Sequence, residues 1–175
     1  SAGLVKKVYV PRVIFPLASI GAALFTLLLQ FAVLAAAMAL LGEAPKVGDA
    51  GFVLAGSAIV ILFTAALGVF SAAANVYFRD LEHIVEVVLI VAFWLSPIVY
   101  SFAFVHCEIG STPLEWFYLA NPMTVGIMAL HRGLWVAGAE QPEFAVYPEH
   151  FWALIAATIA ISMLLLWAAG RFFSR

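Results

Sequence analysis

The sequence predicts an all-α fold, a polytopic bundle of four membrane-crossing helices with a short external re-entrant helical hairpin. Three observations predict it. Apolar residues make up 66% of the 175 and charged residues only 10%, where a soluble domain carries about a quarter charged. Four long stretches carry no charge at all, and the basic residues collect on one side of the resulting topology. So few charges cannot coat a water-exposed surface, so a bilayer is the solvent for much of the chain.

The charge-free stretches are Val13–Gly42, Gly51–Phe78, Val87–Val105 and Phe151–Gly170. About 20 apolar residues in helix cross roughly 30 Å of hydrocarbon, and a charge at a helix centre costs about 2.5–3.5 kcal/mol on insertion scales. These rules place membrane helices over 14–41, 52–74, 87–105 and 151–170. Pro16 falls at the entrance of the first, where a missing amide donor does least harm. Pro97 falls inside the third and is expected to kink it. A fifth apolar run, Trp116–Leu130, is bounded by Glu115 and by His131 and Arg132 and interrupted by Asn121-Pro122. It is too short to cross, and a helical hairpin packed on the bundle within an external segment 106–150 is the better reading.

With four spans, both ends and the turn Asn75–Glu86 share one side. That side holds Lys6, Lys7, Arg12, Arg79, Arg171 and Arg175, leaving Lys46 and Arg132 on the other. The positive-inside rule makes the first side cytoplasmic. The chain reads as one domain. Ser1 is not an initiator methionine and the opening residues lack a signal peptide's apolar core, so the natural start is expected upstream.

Several function classes are disfavoured. The net charge of −2 implies no general attraction to nucleic acid. Cys107 is the sole cysteine, so no internal disulfide forms. No P-loop is present, and no Asp, Glu, Lys, Arg or His lies within a span, as ion-coupled transport usually requires. His106, Cys107 and Glu108 are adjacent, point in different directions and lack partners at metal-binding spacing. No resident metal, cofactor or catalytic constellation is expected; energy for any transport would come from another subunit.

Three segments are more informative. Lys6–Pro16, KKVYVPRVIFP, mixes Lys6, Lys7 and Arg12 with Val8, Tyr9 and Pro11; it reads as a juxtamembrane anchor or as a cytoplasmic knob that docks on a partner. Asn75–Val85, NVYFRDLEHIV, is a cytoplasmic turn in which Asn75 or Asp80 could cap the next helix and Arg79 and Asp80 could form a solvated pair. Trp94–Phe104 is followed by NPMTVGIMALHRGLW and brings aromatic residues toward the outer surface beside the hairpin.

At these segments the chain resembles the type-2 ABC exporter permeases, in particular the polysaccharide and polyol-phosphate branch that exports O-antigen, capsule and teichoic-acid chains. The resemblance rests on KKVYVPRVIFPL, on NVYFRDL, and on SPIVYS, LANPMT and HRGLW in that order, and covers essentially the whole chain. It implies a six-span permease of the bacterial inner membrane, working as a homodimer with two ATP-binding subunits that hold the ATP. Lys6, Lys7, Val8, Tyr9, Pro11 and Arg12 would couple to the ATPase, with Asn75, Arg79 and Asp80 in a second cytoplasmic turn nearby. The helices around Asn121 and Pro122 would flank the outer mouth. The chain departs from the family in lacking the first two spans, the amphipathic N-terminal helix and a basic C-terminal tail. A glycan carries hydroxyls and ring faces, so Gln30, Trp94, Tyr100, Trp116 and Tyr118, with Pro97 and Arg132, are candidates for the channel and its mouth. Each aromatic also fits an ordinary interfacial belt, and Gln30 an interhelical hydrogen bond. A drug- or lipid-exporting type-2 permease and a non-transporting membrane scaffold are the alternatives.

Overall fold

The computed structural model describes residues 14–42, 47–76, 80–110, 112–134 and 146–173. The segment Lys6–Arg12 and Arg79 lie outside them. The described residues form helices throughout: α1 (Ile14–Leu41), α2 (Ala50–Ala74) after a single 3-10 turn, α3 (Leu81–Trp94), α4 (Phe102–Ile109), α5 (Leu114–Leu119), α6 (Pro122–Leu134) and α7 (Phe151–Phe173). Three of them, α1, α2 and α7, are long and apolar enough to cross a membrane.

The expected span 87–105 is not one helix. α3 ends at Trp94, and residues 95–101 leave the helical path before α4 begins. The physical reason is Pro97, which has no amide to donate to the preceding turn. In a run as apolar as this the loss ends the helix rather than bending it, and the Tyr100 hydroxyl takes over the Trp94 carbonyl. Asp80 occupies the N-cap position of α3 without a capping hydrogen bond, and Asn75 closes α2 through its backbone.

α2 is the axis of the bundle, packed most extensively against α7 and α6. Phe52 stacks on Phe151 at 5.8 Å between centroids, and Phe70 lies 5.8 Å from Phe172. Starts therefore lie beside starts and ends beside ends, so α2 and α7 run parallel. The chain must return the length of the bundle between them. α3 and α4 make that return: a groove at the C-terminal end of α2 includes Leu81 and Val85, while His106 faces the residues that open α7.

α6 runs antiparallel to α2 at unusually close range. A Cβ built on Gly56 would stand 2.7 Å from the Gly126 carbonyl oxygen, and one on Gly133 would stand 3.0 Å from the Val53 amide. Small residues let helix backbones approach in this way, which matters in lipid where burial alone gives little drive. Gly126 sits beside Ile59 and Val60, and Gly133 beside Val53 and Asp49. At about 1.5 Å per residue, the Asn121-Pro122 turn then lies about 19 Å down the roughly 37 Å of α2. The core gathers here: Ile59, Val125, Met128, Ala129 and Ile155 are buried, with Phe52 and Phe151 at one end and Phe102 and Leu119 toward the hairpin.

Candidate functional site

Breaking a helix in a region of low dielectric frees backbone donors and acceptors, each costly to leave unpaired. Residues 95–101 meet this cost with side chains from both flanks. The Tyr100 hydroxyl donates to the Trp94 carbonyl oxygen at 2.8 Å, closing the C-terminal end of α3. The Tyr118 hydroxyl stands 3.1 Å from that of Tyr100; with the Tyr100 proton committed to Trp94, Tyr118 is the donor. Ser101 caps α4 by accepting from the Ala103 amide at 3.3 Å.

The break is keyed to the hairpin. Ser96 and Pro97 are fully buried, and the Asn121 side-chain amide donates to the Ser96 hydroxyl at 3.4 Å. Its other end, Oδ1, accepts from the Met123 amide at 3.1 Å, making Asn121 the N-cap of α6 with Pro122 in the first helical position. Further along, the Phe102 and Tyr118 rings stack at 6.1 Å and the His106 Nδ1 bonds Glu115 Oε1 at 2.7 Å. Three rungs, Ser96–Asn121, Phe102–Tyr118 and His106–Glu115, pair the break and α4 with α5 and the turn after it in antiparallel order.

The candidates thus separate. Pro97, Tyr100, Tyr118, Asn121 and Pro122 converge on the break, together with the backbone of Trp94. The Trp94 and Trp116 side chains point away from it and are 64% and 72% exposed. Gln30 lies apart, with Thr26 and Thr64 in a groove of about 350 Å³ between α1 and α2. Arg132 is enclosed at the N-terminal end of α2: its guanidinium stands 4.3 Å from the centre of the Phe52 ring, 4.9 Å from Tyr147 and 6.0 Å from Phe151. Such stacking suits a planar, weakly hydrated cation, and it clamps α6 to α2 and α7. Among the described residues no three His, Cys, Asp or Glu side chains converge as metal ligands.

A family model described as ABC-2 type transporter matches residues 4–135. The chain belongs to the ABC-2 type transporter family. It is similar to the O-antigen export system permease protein RfbA of Myxococcus xanthus, with 32% identity over 118 residues, which is 66% of this chain and 39% of that relative. The chain therefore spans about two fifths of that protein's length. No solved structure matches it.

For an ABC-2 chain, a membrane component of a transporter, the family and the three long apolar helices together make this a multi-pass membrane protein. Its site is a helix break held by hydroxyl and amide side chains. Sequence reasoning missed Ser96 and Ser101 in that arrangement, although serine beside proline in an apolar run was the available signal. It also missed the His106–Glu115 pair, whose members are nine residues apart and fall on different helices.

Proposed function

We propose that this chain belongs to the membrane-spanning permease subunit of an ATP-driven exporter that moves polysaccharide or lipid-linked glycan across the bacterial inner membrane. The 32% identity to an O-antigen export permease carries the substrate class, and the family match supports an ABC exporter. The working unit pairs the permease with a second copy and with separate ATP-binding subunits, which hydrolyse the ATP. Lys6, Lys7 and Arg12, with Val8, Tyr9 and Pro11, engage the ATPase; Asn75, Arg79 and Asp80 lie in a second turn on the same side.

In this reading α3, the break and α4 together make the third of four crossings. Their 14 and 8 helical residues contribute about 33 Å, enough for the hydrocarbon. The parallel course of α2 and α7 supports it, since the chain must come back between them. The α5–α6 hairpin re-enters from the outer side and covers the break. Both ends of the chain face the cytosol, in keeping with the bias of basic residues. Trp94 and Trp116, whose side chains are exposed, are the aromatic contacts for sugar rings. Gln30 lines the groove beside α1, and Arg132 stiffens the outer end rather than touching substrate.

The test is twofold. The full-length permease should co-purify with an ATP-binding subunit, and reversing the charge of Lys6, Lys7 and Arg12 should weaken that association or uncouple hydrolysis from export. In a strain lacking the permease, the full-length gene should restore surface glycan; purification without any ATP-binding partner, or unchanged surface glycan, would argue against the reading.

A further inference from the structure

We propose that the groove between α4 and α5 on one side and the start of α7 on the other binds a phospholipid of the surrounding bilayer whose head group carries a primary amine. The groove holds about 590 Å³. Its titratable groups sit at one end: His106 and Glu115 on one wall, Glu149 and His150 on the other. One to two turns along α7 the wall becomes Ala153, Leu154 and Ala157, and at the far end of α5 it becomes Leu119. Both walls change from charged to apolar in the same direction, and that direction runs from the α7 N-terminus toward the middle of the bundle. A bilayer lipid has the same polarity, charged head above apolar tail.

The head-group chemistry follows from the rim. Glu115 is held in place by His106 at 2.7 Å, and its side chain is 14% exposed, so it offers a fixed carboxylate rather than a mobile one. Glu149 supplies a second across the groove. Two carboxylates accept from an ammonium that has N–H bonds to give, which a primary amine has and a choline lacks. The two histidines beside them can donate to the phosphate of the same head group. A lipid with an anionic head and no amine would set its charge against Glu115 and Glu149. The exposed indole of Trp116 lies on the same rim, at the level where tryptophan commonly meets head groups. An apolar helix in the same place would bury both carboxylates against hydrocarbon, which disfavours a protein occupant.

The full-length permease in nanodiscs tests this by its thermal midpoint, first in phosphatidylcholine alone and then with part of it replaced by phosphatidylethanolamine or phosphatidylglycerol. The ethanolamine lipid should raise the wild-type midpoint by about 3 °C, as a ligand bound only to the folded state does, and phosphatidylglycerol should not. Glu149→Gln removes a carboxylate from an exposed position without disturbing the fold, and should lose at least half of that rise. Ala157→Phe, which fills the tail end, should lose it as well. An equal rise in wild type and both variants would mean a bulk property of the bilayer and overturn the site. So would a rise from phosphatidylglycerol matching that from phosphatidylethanolamine.

Discussion

Replacing Gly56 by alanine probes the closest approach in the bundle. The added Cβ would stand 2.7 Å from the Gly126 carbonyl oxygen and 3.0 Å from both the Leu130 amide nitrogen and its Cγ. Ordinary contact begins at 3.4 Å, so α2 and α6 must part by about 0.7 Å, the difference between 3.4 and 2.7. Backbone supplies two of these obstacles and cannot rotate aside. A gap of that size forfeits a quarter to a half of each dispersion contact along the seam, where Ile59, Val125, Met128 and Ala129 are all buried. Overpacking of this kind costs about 1–3 kcal/mol. The substitution also gains up to about 1 kcal/mol from helix propensity, which leaves a net loss of roughly 1–2 kcal/mol. Gly68 on the same helix is the control, because a Cβ there meets nothing within 4 Å. Gly68→Ala should therefore keep the propensity gain. Unfolding of the two variants in mixed detergent should place Gly56→Ala below wild type and Gly68→Ala at or above it. Equal stability of the two would refute the close α2–α6 crossing.

Other substitutions test the break and its surroundings. Tyr100→Phe leaves the Trp94 carbonyl and the Tyr118 hydroxyl unpaired, and should cost about 2–3 kcal/mol, whereas Tyr118→Phe should cost about 1; the order is read in the same unfolding assay. Asn121→Ala removes both the cap on α6 and the bond to Ser96, and should cost about 1–2 kcal/mol, with Asn121→Ser, which keeps a neutral capping oxygen, recovering part of the loss. Ser162 and Thr124 are buried with hydroxyls that find no partner among the described residues. Ser162→Ala and Thr124→Val should accordingly be neutral or stabilise by up to about 1 kcal/mol. Arg132→Lys keeps the charge but loses the planar stack on Phe52 and Tyr147, and should lower the midpoint by the equivalent of about 1 kcal/mol.

The sequence made some of this legible. Long charge-free runs marked α1, α2 and α7, because a helix in lipid must be apolar over its full length whatever it packs against. Asn121-Pro122 marked the turn between α5 and α6, since its cap and its proline act locally. The break after Trp94 was half legible: Pro97 announced a disturbance, but whether a proline bends or ends a helix depends on who pairs with the freed groups. Tyr100 takes the Trp94 carbonyl, and the residues that in turn hold Tyr100 and Ser96, namely Tyr118 and Asn121, lie about two dozen residues downstream. The surroundings of Arg132 were hidden for the same reason, as they come from α2, α7 and the segment before α7. The glycine contacts were hidden too. Gly56, Gly126 and Gly133 look no different in sequence from Gly68, and only the crossing of two helices distinguishes them.

The course of the chain between α2 and α7 is the claim on which the rest depends, and Cys107 offers a direct probe of it. It is the single cysteine of the sequence and is exposed on α4. With Cys107 alone, a membrane-impermeant maleimide should label intact cells, while a cysteine placed instead at Asp80 should react only after the membrane is opened. Labelling of both positions from the same side would mean that α3 and α4 do not cross together, and would contradict the account.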